Sequence, residues 1–185
     1  MILLGVTGSI AAYKAVEILR LLVKAGQDVH VVMTESATQF VGPLTFQSLS
    51  GHPVQSNPLD AGAYQVAHLA LPEKASAVVI APASAESLSR LARGSAGDMI
   101  CASVLSVPRM ASGKLKIPVF LAPAMHEVMW THPATQANVR QLKSYGYQFI
   151  GPERGALSRT SDEGLGRMSE PETIVGTVLK SIGKK

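Results

Sequence analysis

Apolar runs and helical stripes alternate along this chain from its first residue. Met1–Val6 is apolar throughout, as a short buried strand is, and Thr7–Ser9 makes the turn that follows. From Ile10 to Ala25 the apolar residues at 15, 16, 18, 19, 22 and 23 keep the spacing of one helix face. Gly26 then stands where a helix end favours glycine. Asp28–Met33 predicts a second strand, which runs into a helix start at Thr34-Glu-Ser-Ala. Ala77–Ala81 predicts a third, which leads through Pro82 to a helix over Ser84–Ala92 that Gly94 ends. Lys116–Ala122 is the fourth strand, stopped by Pro123. A helix over His132–Ser144 and Gly146 precede the fifth at Tyr147–Ile150, and Thr173–Ile182 is a closing helix.

Strand–helix alternation with apolar strands is the mark of a parallel sheet covered on both faces. Such sheets bind ligands beyond the carboxyl ends of their strands, and here each strand ends in a small, hydroxylated or proline-containing turn. The 185 residues suit one α/β domain, 1–185, with a core that needs neither disulfide nor metal. Gly51–Ala63 and Pro152–Glu170 carry no clear element. The second is the stronger functional loop, because Asp162–Met168 concentrates charge and glycine.

Composition narrows the partners. Charged residues make up 16% of the chain, against about 25% in ordinary domains, which suggests a surface partly covered by other subunits. The net charge of +4 comes without a basic run or aromatic–basic interleaving, so a phosphorylated ligand is expected and nucleic acid is not. Cys101 is the only cysteine, which excludes an internal disulfide and a cysteine-based metal cluster. The five histidines show no i, i+4 pair, and no metal site is expected. The apolar first twelve residues lack a basic start and break at Gly5, unlike a leader peptide. With no apolar stretch of about eighteen residues to span a membrane, the chain reads as cytoplasmic.

The turn Gly5-Val-Thr-Gly-Ser9 opens the first helix. Its amides and the Thr7 and Ser9 hydroxyls could hold an anion, with Gly8 admitting the ligand, or it is simply a tight turn. A second hydroxyl cluster, Thr34–Ser36, would lie beside it. Pro82-Ala-Ser-Ala-Glu86 repeats the pattern with room for a flat ring, although Ser84 could serve only as a helix cap. Pro123-Ala-Met-His-Glu-Val-Met-Trp130, trapped between prolines, reads as a substrate-contacting loop rather than core. His30, His52 and, on its residues alone, His68 read as structural.

Taken in order, TGSIAAYK at 7–14, PASAESLSRLARG at 82–94, PAMHEVMW at 123–130, HPATQANV at 132–139 and GLGRMSEP at 164–171 resemble landmarks of the homo-oligomeric flavin-containing cysteine decarboxylases. The resemblance spans nearly the whole chain and leans toward the family's coenzyme A branch. It implies a Rossmann-like or flavodoxin-like three-layer fold, a trimer or dodecamer, and FMN at Gly8, Ser9, Thr34, Ser36, Ala83, Ser84 and Ala85. It also implies His68 and His126 as catalytic residues, and Met125, His126, Met129, Arg159 and Arg167 around the substrate.

The implied reaction is decarboxylation of phosphopantothenoylcysteine: the flavin oxidises the terminal cysteine, carbon dioxide leaves, and the resulting enethiol is reduced to phosphopantetheine. A phosphopantothenate–cysteine ligase domain or partner often accompanies such chains. Within the same resemblance stand peptide cysteine decarboxylases that stop at the enethiol, and non-catalytic FMN-binding regulators. Three positions depart from the family pattern. His126 and Glu86 replace asparagines, and the late loop Leu157–Glu163 lacks the cysteine that many members use as proton donor.

Overall fold

The computed structural model describes residues 1–56, 67–157 and 163–183. Five parallel strands make one sheet: β1 (Ile2–Val6), β2 (Val29–Met33), β3 (Ala77–Ala83), β4 (Val119–Pro123) and β5 (Gln148–Phe149), in the order β2-β1-β3-β4-β5. The register is regular from Ile2 opposite Val29 to Val6 opposite Met33, and slips only beyond Ile80, where β3 and β4 reach their carboxyl ends. This is the flavodoxin-like α/β architecture. The chain leaves β1 for β2 on one side and returns to β3 on the other, so the crevice of such sheets opens above β1.

Alternation along the strands divides the core in two. Ile2, Leu4 and Val6 face α1 (Ala12–Lys24) and α9 (Pro171–Ile182), where Ile18, Leu22, Ile174 and Val178 are fully buried. Leu3, Val78 and Leu121 face α5 (Ala85–Ala92), α6 (Met99–Leu105) and α8 (Pro133–Ser144) through Leu88, Ile100 and Leu142. Each such side chain contributes about 1.5–3 kcal/mol by leaving water.

Several elements appear where the sequence pattern shows none, each for a physical reason. In α6, MICASVL, six of seven residues are buried, so no polar face exists to betray a helical period. In α3 (Pro43–Ser50) only Phe46 is buried, too little to make a stripe. The helix α4 (Ala67–Lys74) contains Pro72. The helix start expected at Thr34 is α2 (Glu35–Thr38), a single turn capped by Thr34. The prolines at 123 and 133 do not keep the intervening segment irregular: α7 (Glu127–Thr131) forms between them. The stretch 152–170 contains an antiparallel pair, β6 (Glu153–Ala156) with β7 (Glu163–Arg167).

Candidate functional site

The carboxyl ends of β1, β2 and β3 surround a cavity of about 440 Å³, within the roughly 300–1,000 Å³ common for small-molecule sites. Gly8, Thr34, Ser36, Ser84 and Ala85 line it, together with Arg90 and Met129. Three hydroxyls hold its wall in shape rather than facing outward. Thr7 is completely buried; its Oγ1 donates to the Pro82 carbonyl at 2.7 Å and accepts from the Ser84 amide at 2.9 Å, tying the β1 turn to the β3 turn. That use replaces the anion contact expected of Thr7. Thr34 Oγ1 accepts from the Ala37 amide and lies 3.1 Å from Ser36 Oγ, while Ser84 Oγ accepts from the Ser87 amide as the cap of α5.

Gly8 has its own reason. A Cβ there would collide with the Ser36 side chain, so the missing side chain admits the neighbouring turn rather than a ligand. Ala83 is buried in the core between β3 and its helices and does not line this cavity. Glu86, where the family pattern has asparagine, accepts from Arg90 Nε at 2.6 Å, and Arg90 also reaches Asp98 at 3.4 Å. An acid–base–acid chain therefore edges the cavity.

A second cavity, of about 260 Å³, adjoins the first. Gly8 lines the first and Ser9 the second; Met129 lines the first, Met125 and His126 the second. One turn and one short helix thus serve both. The second cavity is lined by two cations, where the first combines hydroxyls with the Glu86–Arg90–Asp98 chain at its edge. Lys14, whose side chain is 11% exposed, bonds Glu170 at 2.9 Å, and Glu170 also pairs with Arg167. Lys14 and Arg167 both line the cavity, with Ser9 and Tyr13 beside them.

The β6–β7 pair closes one side of this cavity by close backbone approach. The Met125 amide donates to the Gly166 carbonyl at 3.0 Å, and a Cβ on Gly166 would run into the Met125 carbonyl oxygen. Glu127 accepts from the Leu165 amide at 3.0 Å and pairs with Arg154 at 3.5 Å. Neither Gly155, Gly164 nor Gly166 has positive φ. These glycines serve packing, and the described strands are docked rather than free to swing. Arg159 lies outside the described residues.

His126 caps α7, its Nδ1 accepting from the Val128 amide at 3.3 Å. His68, half-buried in the first turn of α4, lines neither cavity. Cys101 cannot take over from the absent loop cysteine: it is buried in α6, and burial, with Asp98 beside it, pushes its thiol up to about 12. Lys14 and Glu127 escape sequence reasoning because their partners are far away in the chain. Only the Glu86–Arg90 pair, four apart on a helix, has a spacing that signals contact.

A family model described as Flavoprotein matches residues 1–183. The chain belongs to the flavoprotein family. It is 42% identical over 182 residues to a probable phosphopantothenoylcysteine decarboxylase of Streptococcus mutans serotype c, with 98% of each chain covered. Among solved structures it superposes on the FMN-dependent cysteine decarboxylase SpaF with a TM-score of 0.79 at 30% identity, covering 98% and 96% of the two chains. It also superposes on a variant PPC decarboxylase complexed with pantothenoylaminoethenethiol, with a TM-score of 0.80 at 28% identity over 96% and 94%. Other curated relatives are longer. The chain spans about two-fifths of them, for example 41% of the coenzyme A biosynthesis bifunctional protein CoaBC of Haemophilus influenzae, 43% identical over 174 residues.

The resemblance to flavin-dependent cysteine decarboxylases is thereby borne out, and with it a flavin cofactor. The larger cavity fits such a group: its walls are small, and it lies at the switch point of the sheet. Among the described residues no helix is long and apolar enough to cross a membrane.

Proposed function

We propose that this flavoprotein decarboxylates 4'-phosphopantothenoylcysteine, with FMN in the larger cavity and the substrate in the smaller. The carrying observation is the segment 123–130, which contributes Met125 and His126 to one cavity and Met129 to the other. A substrate held by that segment has its reacting end against the cofactor site and its remainder toward Lys14 and Arg167. Bound FMN would supply two-electron oxidation of the cysteine end.

The protein's own residues then have separable tasks. Gly8, Ser36, Ser84 and Ala85 shape the FMN wall. Lys14 and Arg167, already turned toward an acidic partner in Glu170, offer the phosphate two cations, of which Arg167 can bind with two parallel hydrogen bonds. Met125 and Met129 give the pantetheine chain an adaptable apolar contact. His126 presents a ring at the mouth of the substrate cavity.

His68 enters through a second copy of the chain. It lines neither cavity of its own chain, while Ile10, Tyr13, Val128 and Met129 around the cavities are half or more exposed. Large apolar side chains gathered at a site mouth mark a surface for a partner subunit. We assign His68 there as the proton-accepting base, in a trimer or larger ring.

The missing loop cysteine favours a second reading, decarboxylation of cysteine-ended peptides with release of the enethiol. Both readings meet one assay. Phosphopantothenoylcysteine and a cysteine-ended peptide are offered separately, and the products are weighed. Conversion of the former to phosphopantetheine, with an early species two hydrogens lighter, supports the main reading. Turnover of the peptide alone replaces it with the second.

A further inference from the structure

We propose that Asp28, His30 and His52 form a binding site for a divalent transition-metal ion, with zinc the best fit, at the end of the sheet away from the cofactor cavity. Asp28 directly precedes β2 and His30 is its second residue, and residues two apart in an extended chain project from the same face. His52 arrives from the turn after α3. The two imidazoles stack with centroids 3.9 Å apart, and both present Nε2 to one carboxylate: His52 at 2.7 Å from Oδ1, His30 at 3.8 Å from Oδ2.

One donor atom from each residue lies within 4.8 Å of the others. Metal–ligand bonds of about 2.0–2.2 Å would draw three donors to roughly 3–3.6 Å apart, which requires the two stacked rings to turn until their in-plane lone pairs converge on one point. All three residues are reachable from solvent, with 25%, 35% and 53% of the side chains of His30, His52 and Asp28 exposed.

Burial, then the neighbouring His52, hold the His30 imidazole below its ordinary pKa, and the chain's amino terminus and Lys74 add positive charge on the same side. Only Asp28 pulls the other way. Two imidazoles and one carboxylate are borderline donors, suited to zinc, nickel, cobalt or iron rather than to magnesium or calcium. Zinc needs four ligands and no special geometry, so three protein donors with water as the fourth complete it.

The site would have a mechanical effect. Residue 55 extends the sheet edge beside β2: the Met33 amide donates to the Gln55 carbonyl at 2.8 Å, and the Gln55 amide to the Val31 carbonyl at 3.2 Å. A metal shared by His30 and His52 pins that segment to the strand at a second point.

Chelator-treated protein is titrated with zinc sulfate by calorimetry, and circular dichroism verifies folding of every variant. One zinc per chain is expected, together with a higher Tm in zinc. The double variant His30→Asn/His52→Asn keeps the other histidines and should lose both effects. Asp28→Asn should weaken binding at least by the roughly tenfold to hundredfold that loss of an outer-shell partner costs. Absence of saturable binding in the unmodified protein overturns the proposal. So does equal binding by the folded double variant.

Discussion

Around the larger cavity three hydroxyls, from Thr7, Thr34 and Ser84, are engaged with backbone atoms of the protein itself. Around the smaller one the comparable task falls to Lys14, Arg167, Glu170 and Glu127, and to a glycine that lets two backbones touch. The first wall is built mostly from hydroxyls and small residues of the turns at the strand ends, with the Glu86–Arg90–Asp98 chain at its edge. The second joins segments more than 150 residues apart by charge. A cofactor that stays bound needs a fixed wall. A substrate that enters and leaves is better served by cations whose resting partner, Glu170, can be displaced by an incoming anion. The two walls should therefore fail independently and in different ways.

Gly166→Ala is the hardest test of that independence. The new Cβ meets the Met125 carbonyl oxygen, a backbone atom that cannot step aside. Overpacking of this kind costs about 3 kcal/mol, taken up by undocking β7 from α7. Turnover should fall to background while bound flavin, measured by its visible absorbance, stays near one per chain. Loss of flavin in step with turnover would mean that the two cavities are one structural unit.

Thr7→Val attacks the other wall. It preserves shape but strips the Pro82 carbonyl of a donor and the Ser84 amide of an acceptor, in a completely buried place. Unsatisfied buried groups cost about 1–3 kcal/mol each, so a stability loss of about 2 kcal/mol or more is expected by denaturant titration. Flavin occupancy should drop with it. For the flavin that remains, the KM of substrate should be unchanged.

How legible these walls were in the sequence follows from the range of their contacts. Short-range chemistry was readable: the caps Thr34 and Ser84, the helix over Ser84–Ala92, and the apolar strands themselves, but not their order in the sheet. Gly8, Thr34, Ser36, Ser84 and Ala85 do meet at one cavity, as motifs at successive strand ends should. What could not be read was pairing at a distance. Nothing local links Lys14 to Glu170, or Thr7 to Pro82, and the glycines of 155–166 read only as part of a loop until the strands they pack against are placed. The histidines show the same limit. Without an i, i+4 spacing they signalled no metal site, yet folding brings His30 and His52 into contact.

Lys14→Met sharpens the comparison from the substrate side. It removes one cation from the smaller cavity while leaving Glu170 paired with Arg167. A hydrogen bond to a charged group is worth about 1.5–3 kcal/mol when fully formed. In this open cavity water replaces part of that, so KM for the phosphorylated substrate should rise about tenfold. The unphosphorylated analogue should show little change, and flavin content none. An equal rise for both substrates would place the phosphate elsewhere and leave Lys14 a purely structural ion.

The smallest effect is expected where the chain departs most visibly from its family's pattern. His126 caps α7 through Nδ1, and the Val128 amide is the group it satisfies. Asparagine is among the best residues for that position, since its side-chain oxygen accepts the same kind of amide bond. His126→Asn should therefore keep the cap, and stability should fall by less than the roughly 1 kcal/mol that loss of a cap costs. It should also keep turnover within a few-fold, because the carboxamide can still donate to a substrate carboxylate at the cavity mouth. His126→Ala separates the two roles: it removes cap and donor together, costs about 1 kcal/mol of stability, and should raise KM. Were turnover by the His126→Asn variant to collapse while folding and flavin stayed intact, the imidazole itself would be part of the chemistry. The departure from asparagine would then be a change of mechanism rather than of cap.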